Sequence, residues 1–212
     1  MEINIRSAKT DDAGFLAWLI LTAGRAHVNR GIWEVILDEP ENRCLAFLEL
    51  LTVTETPHLF HHSCYLVAEA AEGPVAGLGG YDPEKLGYPA LQRAFPEVFD
   101  KMGFCEPDFA GIEPPRILEC IPDKIDGAWV IDSVATSPKF RRKGIVSMLL
   151  EEVLEKGRKL GYRQAQIDIY IGNTAAQRAY EKFGFKVMDE KRDPYFEAEI
   201  GAPGMARMVR DL

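Results

Sequence analysis

Apolar and polar positions follow two different periods along this chain, and the change of period predicts an ordered series of strands and helices. Residues 2–6 alternate in polarity, which predicts a first strand. A helix follows, and a second helix is predicted to begin at Pro40 and Glu41. Residues 65–70 and 75–81 predict a hairpin that is closed by the turn sequence EGPV. The apolar stripe of the first helix consists of Phe15, Leu16, Leu19 and Ile20, after the N-cap candidates Thr10, Asp11 and Asp12.

The interval 83–122 interrupts this order. It holds seven of the thirteen prolines, so the pattern predicts short helices near Pro89 and Pro96 and no long regular element. We interpret residues 83–127 as an insertion in a single domain that spans residues 1–212. Two roles stay open for it, a structural loop or a wall that shapes a substrate site. Its aromatic residues, which we expect to pack on the domain, are Tyr88, Phe95, Phe99, Phe104 and Phe109.

Strands and helices alternate again in the second half of the chain. The predicted elements are a strand at 129–135, a helix at 144–160, a strand at 165–170, a helix at 175–183, and strands at 186–191 and 205–212. The loop FRRKGI leads from the first of these strands into the first helix. Gly144 lets the backbone approach a ligand closely, and free N–H groups at a helix start, next to Arg and Lys, bind phosphate. The alternative to a phosphate site is a solvated basic turn before an ordinary helix.

The second helix of this segment has clear ends. Asn173 and Thr174 are good N-caps, and Gly184 predicts a left-handed C-cap. In that geometry Phe185 packs back toward Tyr180. The Tyr180 ring can simply fill the core, or its hydroxyl can donate a proton to a leaving group.

Composition and charge narrow the function. Hydrophobic residues make up 47% of the chain and the formal net charge is −8, which argues against nucleic-acid and membrane-surface partners. No apolar run is long enough to cross a bilayer, and the first residues do not resemble a signal peptide, so we expect a cytoplasmic protein. The cysteines, without CxxC spacing, are expected to be reduced and structural: Cys44, Cys64, Cys105 and Cys120.

Other polar groups are set aside. The sequence HLFHH places His58, His61 and His62 close together, but a bare loop of this kind is a weak metal motif, and no metal is expected. The acidic residues of the insertion are either the entrance for a cationic substrate or, the preferred interpretation, a solvated face. They are Glu97, Asp100, Glu106 and Asp108.

Two motifs at the right separation resemble the GNAT superfamily of acyl-CoA-dependent N-acyltransferases. The phosphate-loop signature of that family is Q/R-x-x-G-x-G/A, and its second conserved block is N-x-x-A-x-x-x-Y-x-K-x-G-F. Val146 departs from the signature, because Gly or Ala is usual there and a β-branched side chain crowds the phosphate. The first motif is matched by Arg141, Arg142, Lys143, Gly144, Ile145 and Val146, the second by Asn173, Ala176, Tyr180, Lys182, Gly184 and Phe185.

The resemblance implies an α/β fold with a mixed, mostly antiparallel sheet splayed at its centre and helices on both faces. It implies acetyl-CoA as co-substrate, its pyrophosphate on the loop and its pantetheine arm against the strand edge. The implied cofactor-binding residues are Val134, Ala135, Thr136, Arg141, Arg142, Lys143, Gly144, Ile145, Val146, Ser147, Asn173, Ala176, Tyr180 and Lys182. The implied acceptor is a primary amine of a small molecule or peptide, which attacks the thioester directly.

Tyr180 matches the family tyrosine that protonates the departing thiolate. The base varies within the family. Asp132 is our candidate, since it precedes Val134 by two residues and a regular strand would place both on one face; its alternative role is a salt bridge or a cap.

Further alternatives stay open. The chain could be a non-catalytic acyl-CoA-binding sensor or partner-binding module, or it could acylate a hydroxyl or transfer a longer acyl chain. The acceptor pocket is expected from residues 30–62, 83–127 and 193–204, where no motif identifies the acceptor. A homodimer paired through the C-terminal strand is a further open interpretation.

Overall fold

One mixed sheet crosses the molecule. The computed structural model describes residues 2–103 and 114–212, and within these residues the sheet has seven strands. They are β1 (Asn4–Ser7), β2 (Tyr65–Ala70), β3 (Gly73–Tyr81), β4 (Ala128–Thr136), β5 (Gln164–Tyr170), β6 (Lys186–Arg192) and β7 (Gly204–Asp211). Their order across the sheet is β1-β2-β3-β4-β5-β7-β6. Among these described strands every neighbouring pair is antiparallel except β4 and β5.

Helices cover both faces of the sheet. They are α1 (Ala13–Arg25), α2 (Ile32–Leu37), α3 (Glu41–Leu51), α4 (Pro83–Leu86), α5 (Tyr88–Met102), α6 (Ile145–Lys159), α7 (Thr174–Glu181) and α8 (Pro194–Ile200). Leu149 and Val153 of α6 pack on one face of the sheet, together with Tyr180 of α7. Leu16 of α1 and Leu48 of α3 belong to the core on the other face. The fold predicted from the sequence is confirmed. No helix among the described residues is long and apolar enough to cross a membrane.

The sheet splays between β4 and β5. Paired residues run from Ala128 with Gln164 to Ile131 with Ile167, although both strands continue beyond that point. Because the two strands diverge after Ile131, their facing edges form no ladder hydrogen bonds beyond that point and stay open at the centre of the sheet. This gap is the place where a ligand can reach strand backbone.

A β-bulge in β4 overturns one prediction. Gly77 pairs with Ala135 and Gly79 with Asp132, so β4 carries an extra residue there. We assign Ser133 as the extra residue, since its φ is 52° and departs from that of a regular strand. Val134 therefore packs with the α6 side, whereas Ala135 belongs to the α1 side. Asp132 and Val134 do not share a face, because strand alternation does not continue through a bulge.

The faces of Asp132 and its neighbours follow from the regular part of β4. Trp129 and Ile131 face α6, and Val130 faces α1. Alternation from Ile131 to Asp132 then places Asp132 on the α1 face with Val130. In β5, Ile167 and Ile169 face α6, which puts Asp168 on the α1 face as well.

The proline-rich interval also differs from its prediction. It contains a helix of 15 residues, α5, with Pro96 in its interior. Pro89 stands in the first turn, where no N–H is needed, and Pro96 removes only one helical hydrogen bond. Burial of Leu91 and Val98 against the α1-side core offsets that loss. Phe104 and Phe109 lie outside the described residues, as do Cys105, Glu106 and Asp108.

Three short helices, α2, α4 and α8, were not predicted from the sequence. Gly31 precedes α2, where Glu34 accepts a hydrogen bond from the Gly31 N–H at 2.8 Å. Asp193 caps α8 by accepting one from the Tyr195 N–H at 2.9 Å, and Gly201 ends it in the left-handed conformation. All three helices are too short for a hydrophobic period to reveal them.

The C-terminal strand lies inside the sheet. β7 pairs with β5 on one side and with β6 on the other. A second copy could pair with β7 only by displacing β6, so the dimer through this strand is not supported. The homodimer itself stays a prediction.

Candidate active site

A large cavity opens at the gap between β4 and β5. Its volume is about 1180 Å³. Its lining includes Arg142 and Val146 at the start of α6, Asp132 and Ser133 of β4, and Phe95 of α5. A smaller cavity of about 120 Å³ shares Thr136, Arg142 and Val146 with it. The cavity therefore connects the loop before α6 with the helices on the α1 face.

Most of the residues singled out in the sequence meet here. The large cavity is lined by Asp132, Val134, Ala135, Thr136, Arg141, Arg142, Val146, Asn173, Ala176 and Tyr180, and the small one also by Gly144 and Ile145. Lys143, Ser147 and Lys182 are exposed and line neither cavity. The Lys143 ammonium lies 4.8 Å from the centre of the Phe140 ring. Asn173 caps α7, accepting a hydrogen bond from the Ala176 N–H at 3.3 Å.

The loop before α6 has the backbone of an anion site. Arg142 and Gly144 both have left-handed conformations, with φ of 61° and 79°. Such turns aim successive N–H groups at one point. Gly144 is the N-cap of α6, and no side chain among the described residues caps this helix, so its first N–H groups stay available to a ligand. Gly144 is needed here for its φ, since a side chain would have open space.

Thr136 offers further evidence for a ligand. Its hydroxyl is buried and has no hydrogen-bond partner among the described residues, although buried hydroxyls are normally paired. Arg141 Nε donates to the Thr136 carbonyl at 3.1 Å, which ties the loop to the end of β4. An orphaned hydroxyl between the loop and the gap suits a ligand with polar groups along an extended arm.

The Asp132 carboxyl lies beside the gap between β4 and β5, where the surrounding protein shields it from most of the water. Ser133 Oγ donates to its Oδ1 at 3.0 Å. Although the cavity leaves Asp132 partly accessible, protein surrounds it, and this burial raises the pKa of its carboxyl; the Lys124 ammonium acts in the opposite direction. A carboxyl whose pKa is raised is a better base near neutral pH.

Tyr180 reaches the gap from the opposite face. Its ring contacts Phe185 edge to face, with centroids 6.2 Å apart, and the Phe185 N–H donates to the Tyr180 carbonyl at 3.2 Å. The predicted packing behind Gly184 is thus confirmed. Burial, and then the charge of Asp132, raise the pKa of Tyr180, so the hydroxyl keeps its proton at neutral pH.

A buried polar network beside the gap was missed in the sequence. Lys124 Nζ is paired with Asp168 Oδ2. Gln166 Nε2 donates to Asp168 Oδ1 at 3.0 Å, and Gln166 Oε1 accepts from the Ile125 N–H at 2.9 Å. The polar residues in the apolar strand AQIDIY are a signal that could have revealed Asp168; nothing local marks Lys124. The network fastens residues 124 and 125 to β5.

Two of the groups set aside in the sequence, His58 and Glu97, have structural partners. His58 Nε2 lies 3.1 Å from the Leu51 carbonyl, and its Nδ1 accepts from the Phe60 N–H at 3.1 Å. Glu97 accepts from the N–H groups of Glu55 and Thr56 at 2.6 and 3.1 Å. His58 and Glu97 hold loops together, and neither side chain lines the large cavity.

Comparison with known proteins agrees with this geometry. Residues 109–185 match the model of the acetyltransferase (GNAT) family. A search among curated proteins gave no match.

Solved structures share the fold. One is an acetyltransferase, with a TM-score of 0.71 and 20% identity over 98% of each chain. Another is an N-acetyltransferase from Staphylococcus aureus Mu50, with a TM-score of 0.68 and 18% identity over 98% of this chain and 100% of that one. N-acetylglutamate synthase from Neisseria gonorrhoeae, in complex with coenzyme A and N-acetyl-glutamate, has a TM-score of 0.52 and 14% identity; the match covers all of this chain and 35% of that one.

At these identities the solved structures establish the fold, and the family model identifies the segment that contains the loop, the splayed strands and Tyr180. The resemblance found in the sequence is confirmed for this segment, and the GNAT match together with the shared fold supports an acyltransferase enzyme.

Proposed function

We propose that the protein transfers the acetyl group of acetyl-CoA to the primary amine of a small molecule or peptide by direct attack. One observation carries the proposal: Asp132 and Tyr180 enter the gap between β4 and β5 from opposite faces of the sheet, within one cavity. A base on one side and an acid on the other are what a single-step transfer between two bound substrates requires.

The cofactor would lie along the part of the cavity that is lined by the loop before α6 and by the end of β4. Its pyrophosphate is proposed to bind the backbone of residues 141–147, with Arg141 and Arg142 adding charge. The orphaned Thr136 hydroxyl and the open edge of β4 at Val134 and Ala135 would bind the pantetheine arm. Ala176 and Asn173 would line the opposite wall. Lys143, Ser147 and Lys182 would contribute through backbone or long-range charge, since their side chains do not line the cavity.

In the proposed reaction, Asp132 and Tyr180 each carry out one proton transfer. Asp132 takes a proton from the acceptor ammonium, directly or through water, and frees the amine for attack. An N–H of β4 beside the bulge stabilises the oxyanion. Tyr180 donates its proton to the sulfur as the thioester bond breaks. The bound acetyl-CoA supplies the activated acyl group.

A thiol-release assay with acetyl-CoA tests the proposal. The protein is screened against monoamines, polyamines, amino acids, aminoglycosides and peptide N-termini, and mass spectrometry identifies an amide on the acceptor. At least one class should give acceptor-dependent release. If coenzyme A raises the melting temperature but no acceptor is acetylated, the protein is the non-catalytic acyl-CoA-binding module instead.

The cellular location stays a prediction. The three described cysteines, Cys44, Cys64 and Cys120, are buried free thiols, which supports a reducing compartment such as the cytoplasm.

A further inference from the structure

We propose that the acceptor is a primary amine on an aromatic-sized apolar body, with no carboxylate beside the amine. This inference rests on the proposed N-acetyl transfer and adds the substrate class. It comes from the walls of the cavity on the α1 face of the gap.

Five aromatic rings form a continuous wall of the cavity. Ring centroids of neighbouring members are 5.0 to 6.4 Å apart. The wall is built from α2, α3, α5 and the loop after α3, and we call it the aromatic wall. Its members are Trp33, Phe47, Phe60, Phe95 and Phe99, and all five line the cavity.

The aromatic wall lies on the same side of the sheet as the proposed base. Phe47 and Trp33 belong to the core on the α1 face, with Val130 of β4, and Asp132 faces that side too. An ammonium group placed at Asp132 would therefore direct the rest of its molecule toward the rings. Burial of a benzene-sized group against such a wall contributes to binding in proportion to the apolar area removed from water.

The charges in the cavity disfavour a carboxylate near the amine. Among the described lining residues the cations are Lys124, Arg141 and Arg142. The two arginines lie at the loop before α6, on the cofactor side, and Lys124 is already paired with Asp168. A carboxylate beside the amine would meet the charge of Asp132 without a free cation to offset it. Amino acids are thus poorer acceptors than amines.

Polyamines fit the aromatic wall less well. Their second and third ammonium groups would find no anion on the aromatic wall itself or on Leu37, Leu59 and Leu91, since the carboxylates Glu84, Asp126 and Asp168 belong to other parts of the cavity lining. Moving a charge into such surroundings costs free energy unless an anion pairs with it. The apolar body of the acceptor, by contrast, needs no partner.

Matched acceptors test the inference. Initial rates with acetyl-CoA are compared for ethylamine, 2-phenylethylamine, phenylalaninamide, phenylalanine and spermidine. We expect kcat/KM for 2-phenylethylamine to exceed that for ethylamine by roughly 10–100-fold. Phenylalaninamide should be accepted and phenylalanine at least tenfold worse, because the two differ in the carboxylate.

Variants of the aromatic wall give a readout that a merely structural role would not. Phe95→Ala and Phe99→Ala should raise the KM for 2-phenylethylamine about tenfold, with a much smaller effect on ethylamine and on the KM for acetyl-CoA. Phe15→Ala is the control, since Phe15 contacts Trp18 and lies outside the cavity lining. Equal losses for both amines would assign the rings to the core alone and overturn the inference.

The other outcomes separate this inference from the proposed function. Preference for spermidine or phenylalanine over 2-phenylethylamine overturns the substrate class and leaves N-acetyl transfer intact. A preference for octanoyl-CoA over acetyl-CoA places the donor's chain on the aromatic wall and also overturns it. Acceptor-independent thiol release with every amine overturns the proposed function itself.

Discussion

Two carboxylates beside the gap differ in their partners. Asp168 is paired with Lys124 and bonded to Gln166. Asp132 is bonded to the neighbouring Ser133 hydroxyl, and burial raises its pKa. A group whose ionised form is disfavoured in the folded protein lowers the free energy of unfolding at any pH where it is ionised. Asp132 therefore lowers the free energy of unfolding at neutral pH, and such a loss of stability is common at reactive sites.

Asp132→Asn should stabilise the protein and inactivate it. The amide keeps the shape and can accept the Ser133 hydrogen bond, but it carries no charge. The raised pKa means that the wild-type penalty is absent below the unfolded-state value of about 3.9 and complete above the folded-state value. The gain in melting temperature should thus be present at pH 7 and vanish toward pH 4, while kcat falls roughly 10²–10⁴-fold.

Asp168→Asn is the contrasting variant. It leaves the Lys124 ammonium without its partner beside the cavity, so the melting temperature at pH 7 should fall. If both variants lower the melting temperature at pH 7, Asp132 is an ordinary structural carboxylate.

Tyr180→Phe should separate chemistry from packing. The ring, its contact with Phe185 and the C-cap at Gly184 remain, and only the hydroxyl is lost. With chemistry rate-limiting, kcat should fall roughly 10²–10⁴-fold while the KM for acetyl-CoA changes little. Tyr162→Phe removes a hydroxyl outside the cavity lining and should leave kcat unchanged. Near-native kcat in Tyr180→Phe would mean that water protonates the thiolate.

At the scale of elements, two backbone features make the proposed site. The bulge at Ser133 turns β4 so that Asp132 and Val134 face opposite sides. The left-handed residues Arg142 and Gly144 turn the chain into an uncapped helix. Val146 narrows this approach with a β-branched side chain that lines both cavities. We expect it to weaken or displace phosphate binding without abolishing it.

Gly144→Val should remove coenzyme A binding while the protein still folds. Space around a Cβ at Gly144 is open, so the cost comes from forcing a β-branched residue to a φ of 79° or from a rearranged loop. Millimolar coenzyme A should raise the melting temperature of the wild type and not that of the variant.

Gly161→Val is the matched control. Gly161 also has a left-handed φ, 91°, with open space around its Cβ, and it follows the far end of α6. It should lower the melting temperature by a similar amount and keep the coenzyme A shift. If Gly144→Val also keeps the shift, the phosphate site lies elsewhere.

At the scale of the whole molecule, a buried histidine links stability to pH. His58 is fully buried, donates from Nε2 to the Leu51 carbonyl and accepts at Nδ1 from the Phe60 N–H. Protonation would break the second bond and bury a charge. Burial lowers the pKa of His58 from 6.5 to about 4, and the nearby His61 acts in the same direction.

The free energy of unfolding should therefore fall as the pH drops from 6.5 to 4. In that range the unfolded chain binds a proton at His58 and the folded chain does not, which is worth about 3 kcal/mol at pH 4. Urea unfolding at pH 8, 6 and 4 measures the slope. His58→Gln lacks this titration and should have a shallower slope, whatever its stability at pH 8. An unchanged slope would place the acid sensitivity in other groups.

Local patterns in the sequence were enough to predict most of the fold and part of the proposed site. Alternation and helical spacing predicted the strands and the longer helices other than α5, because burial on one face imposes those periods on any chain. The phosphate loop and Tyr180 were found for a similar reason: caps, glycines and cations act on neighbours within a few residues. The family and the gap between β4 and β5 followed from the two motifs.

Long-range contacts decided the rest. The extra residue at Ser133 arises from pairing with β3, more than fifty positions earlier, so no local pattern shows that Asp132 and Val134 face apart. The helix through Pro96 forms because packing against the core outweighs one lost hydrogen bond. The Lys124–Asp168 pair and the aromatic wall join segments that are distant along the chain, and only the folded molecule brings them to one cavity.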